Sequence, residues 1–398
     1  MTRIHVLLMV CCLVSIIVTC LAQSDAPARP DSPTAPATGT GPASRPLDKI
    51  SAFFAPPKEF AGKFGDFRDV LKFDDGTQVK TAADWPKRRA EILKYWHDTM
   101  GPWKEVLDKP KLEFISKEHV EGIVRHKVKL EISPGYMQEC YLLVPDGKGP
   151  FPAVLVVWYN DIDSAGIPKE GGKRRIMAFG YDLAKRGFVT LCVGGPGASP
   201  YKNADKAIQP LSFAAYCAAN ACNALANMPE VDPKRIGVTG HSYGGKWAMF
   251  ASCLYEKFAC AVWCDPGIVF NEADANANYW EPWYLGQEDG KKRARGVVTA
   301  TNPRTGPYKT VVEAGRDLHE LHALMAPRPF MVSGGDQDQL EHWVPLNHSI
   351  RLYKLLGHEN RIAMTNRVGH SPTVESNEQM YAFFEHFLKE TPATQPAK

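Results

Sequence analysis

The stretch "VTGHSYGGKWA", Val238 to Ala248, sets Ser242 between Gly240 and Gly244, with His241 and Tyr243 beside it. A G-x-S-x-G run is a nucleophile elbow when a strand precedes it and a helix follows. Here "RIGVTG" reads as the strand and "GGKWAMF" as the start of the helix. The turn is so sharp that only small residues fit two positions either side of the serine, and its strain pushes the hydroxyl out at the C-terminal end of a sheet. The helix start adds free N–H groups and a positive dipole end, so the Tyr243 N–H is one half of an expected oxyanion hole. The other half is expected just after "AVLVVW", from the N–H of Tyr159 or Asn160 or from the Tyr159 hydroxyl.

A serine hydroxyl is a weak nucleophile without a base and an acid that orients the base. After such an elbow the chain order is serine, acid, histidine. His370 is the expected base, because "TNRVGHSPT" is a Gly-flanked loop between the last strand and the last helix. His358 lies one strand too early and His348 sits on a helix pattern. Three aspartates could orient it. Asp338 and Asp336 lie in the polar loop after "RPFMVSGG", and Asp265 follows the preceding strand in "AVWCDPG". All three loops end on one edge of the sheet, so spacing alone does not choose; Asp338 is ranked first and Asp265 second. Asp is also a common turn-capping residue, which is the bland use of each.

The elements that must position these groups alternate. "FPAVLVVWY", "FVTLCVG", "RIGVTG", "ACAVWC", "RPFMVSGG" and "RIAMTN" are apolar on both faces, as buried parallel strands are, and helical patterns stand between them. Strand–helix alternation means a mainly parallel central sheet with helices on both faces, an α/β fold. Three alternating runs upstream, "KLEFIS", "IVRHKVKLEI" and "QECYLLVP", read as hairpin strands. The expected catalytic domain is 111–389, with a lid-like insertion at about 267–326. A helical segment, 47–110, is expected to pack on it, with a helix capped near Thr81 that presents Trp85, Ile92, Leu93 and Trp96 on one face.

The outer segments differ. Residues 1–22 carry a basic start at Arg3, an apolar run and small residues up to Ala22, as a secretory signal peptide does, so a secreted or periplasmic protein without stable membrane insertion is expected. Thr19 is a poor residue before a lipidated cysteine, so attachment through Cys20 is not expected. Residues 23–46 and 390–398 are rich in Pro, Ala and Thr and read as a disordered linker and tail. A net charge of +3 over 398 residues gives no electrostatic case for nucleic acid, and "KEGGKRR" and "GKKRARG" read as solvated loops. Seven cysteines lie beyond the signal, mostly inside apolar runs where the thiol acts as a small core residue. No metal or organic cofactor is expected: His319 and His322 in "DLHELH" are a thin motif without a third ligand.

These motifs resemble the α/β-hydrolases, and more narrowly the bacterial carbohydrate esterases: the glucuronoyl esterases, with the acetylxylan esterases beside them. The glucuronoyl esterase elbow reads G-C-S-R-x-G-K-G, and Gly240, Ser242, Gly245 and Lys246 stand in matching places. "DWPKRRAEILKYW" and "DLHELHALMAPRPFMV" also resemble segments of that family. The resemblance implies that Lys246 contacts sugar hydroxyls and that the acid follows either of two strands, the first place being that of Asp265. His241 and Tyr243 replace the family's cysteine and its oxyanion-assisting arginine. In the insertion, Trp280 and Trp283 of "NANYWEPWYLG" offer faces on which a sugar could stack, although lid packing uses such clusters too.

The reading that follows is an exported serine esterase acting on acetyl or glucuronoyl esters of polysaccharide. A serine peptidase of the prolyl-oligopeptidase type shares the elbow, and a non-catalytic carbohydrate-binding surface protein would suit the aromatic insertion. Labelling by a fluorophosphonate separates the last from the first two.

Overall fold

Apolar runs that bury both faces of a strand place the middle of a sheet, and among the described residues they place it in a nine-stranded one. The computed structural model describes residues 45–169, 172–195 and 207–390. The expected signal peptide, most of the linker and nearly all of the tail lie outside the described residues, as does part of "KEGGKRR".

A short α1 (Pro46–Ile50) leads to α2 (Trp85–Met100), which begins after a capping box between Thr81 and Asp84. The buried face of α2 is Trp85, Arg88, Ile92, Trp96 and Met100, while Leu93 is only half-buried. That spacing of three and four is one stripe of a helix, and Arg88 within it is a charge that a hydrophobic pattern does not register. Three antiparallel strands follow, β1 (Leu112–Val120), β2 (Ile123–Ser133) and β3 (Tyr136–Pro145).

The alternating part then runs β4 (Phe151–Trp158), α3 (Asp161–Ser164), α4 (Phe179–Lys185), β5 (Val189–Gly194), α5 (Pro210–Ala226), β6 (Val231–His241), α6 (Tyr243–Leu254) and β7 (Cys260–Cys264). The insertion contributes α7 (Gly306–Glu313) and α8 (Leu318–Ala323), and β8 (Phe330–Gly334), α9 (Trp343–Leu355), β9 (Ile362–Asn366) and α10 (Val374–Glu385) close the chain. The strand order is β1-β2-β3-β5-β4-β6-β7-β8-β9, parallel from β5 onward.

Register decides what meets at the sheet's edge. His241 pairs with Cys264, Cys264 with Ser333, and Gly334 with Asn366. The residues after these positions, Ser242, Asp265, Gly335 and Arg367, therefore leave the sheet side by side at its C-terminal edge, where open α/β sheets bind their ligands.

The insertion is packed, not draped. Tyr279, Trp280, Tyr284 and Tyr308 belong to the main apolar core with Trp247 and Phe250 of α6. All seven described cysteines are buried and unpaired, as small core residues.

Candidate active site

Ser242 follows β6 at once and precedes α6, and its backbone is held at φ 55°, ψ −114°, a region that side-chain-bearing residues seldom adopt. Its N–H donates to the Cys264 carbonyl at 2.8 Å and its carbonyl accepts from the Lys246 N–H at 2.9 Å. The flanking glycines are required sterically. A Cβ on Gly240 would stand 2.3 Å from the Val157 carbonyl oxygen, and one on Gly244 2.1 Å from the same atom. The bend thus lies against β4, and the strain is held by the packing around it.

His370 leaves the loop after β9. Its Nδ1 is 2.6 Å from Oδ2 of Asp265, and its ring lies 4.6 Å from that of His241, the residue next to Ser242. Asp265, itself at φ 50°, is fully buried. Its other oxygen, Oδ1, accepts three backbone N–H groups from the loop after β8, of Gly335 (2.7 Å), Gln337 (3.1 Å) and Asp338 (3.0 Å). Burial raises the Asp265 pKa, the bond to His370 lowers it, and the neighbouring Asp338 raises it further. The net direction is upward.

Asp338, ranked first from spacing, does not reach His370. Its carboxylate accepts the N–H groups of Gly267 (2.8 Å) and Ile268 (2.6 Å) and meets Nδ1 of His342 at 3.0 Å. The loop after β8 curls so that its backbone faces Asp265 while its aspartate faces the insertion. Asp336 caps the histidine loop, accepting from the Gly369 N–H at 3.1 Å.

On the other side of Ser242 the Tyr159 phenol is hydrogen-bonded to the Ser242 hydroxyl and accepts the Tyr243 N–H. Burial raises its pKa, and these two bonds lower it. Its ring stacks on Tyr243 at 5.1 Å. The phenol, the serine hydroxyl and the first N–H of α6 therefore converge, so two groups that can donate to an oxyanion stand beside the nucleophile, engaged with each other. The Asn160 side chain accepts from the Ile162 N–H at 2.9 Å and caps α3.

Two of the expected sugar contacts change. Lys246 is buried, and its ammonium donates to the Pro266 carbonyl and, at 3.4 Å, to that of Asn276, over the Tyr279 ring. Burial lowers its pKa to about 8, against the opposing pull of Asp338, Asp265 and Asp274. It braces the peptide that follows Asp265 and offers no open ammonium. Trp280 is buried and tied to the Gly296 carbonyl at 2.9 Å, so neither of its faces is free for a sugar. Trp283 keeps a half-buried ring, with the Arg295 guanidinium 5.6 Å above it. His319 is spent on the Arg68 carbonyl at 2.6 Å, and His322 is buried against Trp263. Among the described residues no group of three or more His, Cys, Asp or Glu is placed to hold a metal ion.

Sequence reasoning missed Arg367, whose guanidinium bonds the carbonyls of both the histidine loop and β8. Its place three residues before His370 was the available signal.

Residues 201–357 match a family model described as "Glucuronyl esterase, fungi", a span that holds Ser242, Asp265 and Asp338. The chain is 24% identical over 334 residues to a 4-O-methyl-glucuronoyl methylesterase of Neurospora crassa, covering 79% of each. Among solved structures, a glucuronoyl esterase from Solibacter usitatus superposes with a TM-score of 0.64 at 19% identity, over 80% of this chain and 97% of that one. A carbohydrate esterase family 15 glucuronoyl esterase from Caldicellulosiruptor kristjansonii gives 0.56 at 21% identity, over 85% and 94%. The chain has the α/β-hydrolase fold and is similar to carbohydrate esterases of the glucuronoyl esterase kind.

Proposed function

We propose that the protein is a serine esterase that cleaves glucuronoyl or acetyl esters of polysaccharide through an acyl-enzyme. The observation that carries the reading is the Asp265–His370 pair, 2.6 Å apart, set beside a strained serine at the edge of a parallel sheet. The ester carbonyl is attacked by the Ser242 oxygen while His370 Nε2 takes the serine proton. Asp265 holds the imidazole in the tautomer that carries its proton on Nδ1, and stabilises the imidazolium that forms. The oxyanion takes over the Tyr243 N–H from the Tyr159 phenol, and the Tyr159 hydroxyl turns its own proton to the same oxygen. Tyr243 stands in the elbow position where the glucuronoyl esterases carry an arginine, and the Tyr159 hydroxyl, from the loop after β4, takes over that assistance. The imidazolium then protonates the leaving alcohol, and His370 draws a proton from water to clear the acyl group.

Glucuronoyl esters are favoured by the relatives named above; the elbow by itself does not choose between them and acetyl esters. Export rests on residues 1–22; among the described residues no helix is long and apolar enough to cross a membrane. The test is hydrolysis by the chain from residue 23 onward, and by its Ser242→Ala form, of a methyl glucuronate ester, acetylated xylan, a feruloyl ester and a peptide amide. Serine-dependent cleavage of the first or second is expected. Cleavage of the amide alone would make it a peptidase, and cleavage of none would remove the esterase reading.

A further inference from the structure

We propose that Arg367 is a positioning residue for this acyl transfer: its guanidinium closes a ring of hydrogen bonds through Ser333, Asp265 and His370 that sets the angle of the imidazole. The proposal rests on the esterase reading above.

The ring can be followed atom by atom. The Asp265 N–H donates to the Ser333 carbonyl at 3.0 Å. Nη1 of Arg367 donates to that same oxygen at 2.8 Å, and also to the Gly334 carbonyl at 2.9 Å. Nη2 of Arg367 donates to the His370 carbonyl at 2.7 Å, and Nε to the Ser371 carbonyl at 2.9 Å. His370 Nδ1 returns to Asp265 at 2.6 Å. Thus one side chain ties the backbone of the base to the strand end that also holds the backbone of the acid.

The histidine loop needs such a tie because apolar packing does not supply one. Val368, between Arg367 and His370, is 99% exposed. Besides the arginine, the loop backbone is held by Asp336 at Gly369. A guanidinium suits the task because its N–H groups form a rigid planar fork, whereas an ammonium is a point charge on a flexible stem. The acceptors are main-chain carbonyls and the Ser333 hydroxyl rather than a carboxylate, so the bonds fix geometry without neutralising the charge. That charge lies close enough to Asp265 to favour its ionised form.

Arg367→Gln, Arg367→Lys and Arg367→Ala are compared with wild type by steady-state ester hydrolysis, fluorophosphonate inactivation and thermal melting. We expect kcat to fall about 10- to 100-fold in each variant, as misplacement of a catalytic group does, with KM near that of wild type. Inactivation by the fluorophosphonate should slow in parallel. Millimolar guanidinium should restore part of the kcat of Arg367→Ala and none of the others' losses. Folded variants that keep wild-type kcat would overturn the proposal. So would a loss that tracks lowered melting temperature and is not rescued by guanidinium, since that is a structural role only. A wild type that neither hydrolyses esters nor labels overturns the esterase reading, and the positioning role with it.

Discussion

Asp265 divides its carboxylate: one oxygen takes three backbone N–H groups, the other takes the imidazole. Asparagine can keep one of these sets but offers a donor where the imidazole also donates. Asp265→Asn is therefore expected to lower kcat by about 10³- to 10⁴-fold, the loss seen when an orienting acid becomes an amide. Asp338→Asn should cost at least an order of magnitude less in kcat, because its contacts are to Gly267, Ile268 and His342. Kinetics of the two variants side by side check the assignment, and equal losses would undo it. Tyr159→Phe removes the hydroxyl beside Ser242 and leaves the stacking on Tyr243. A fall of about 10²- to 10³-fold in kcat with little change in KM is expected, as for loss of one oxyanion donor.

Among the elements, the end of β8 is the crowded one. A Cβ on Gly335 would stand 2.5 Å from the Gly369 carbonyl oxygen and 2.8 Å from Oδ2 of Asp265. Gly335→Ala must therefore push the base and acid loops apart. Activity should fall well below a tenth of wild type while the far-ultraviolet circular dichroism is kept; unchanged activity would show that the loops yield freely. At the start of α8, Asp317 caps the helix, and its Oδ1 accepts the N–H groups of both Leu318 and Phe270. Burial raises its pKa from near 3.8 to about 7. Between those values the folded chain holds a proton that the unfolded chain has released, so this group makes stability fall as pH rises from about 4 to about 7. Asp317→Asn keeps an acceptor oxygen and removes the titration. Its melting temperature, measured against wild type across that window, should lose part of this decline.

At the scale of the molecule, a buried ion cluster joins α2 to the insertion. Arg88 donates to Glu320 at 3.0 Å and to Asp74 at 2.8 Å, and Arg316 reaches Glu320 at 3.2 Å; Arg88 and Glu320 are both fully buried. Removing one member of such a cluster leaves uncompensated charge in low dielectric. Glu320→Ala is expected to destabilise by about 3–5 kcal/mol in urea unfolding, with kcat per folded molecule unchanged, since these bonds do not involve Ser242, Asp265 or His370.

The order of strands and helices, the sharp bend at Ser242 and the place of His370 in the loop after the last strand were legible in the chain because each is written in neighbouring residues: a run apolar on both faces, a glycine pair around a serine, a histidine in the last loop. The pairing of His370 with Asp265 rather than Asp338, the burial of Lys246 and Trp280, and the arginine that links base to strand were settled only when loops distant in sequence were folded against one another. Register places those loops on one edge, but which carboxylate turns inward depends on which backbone N–H groups are left over to receive it. That is a property of the packed loops, and no periodicity along the chain encodes it.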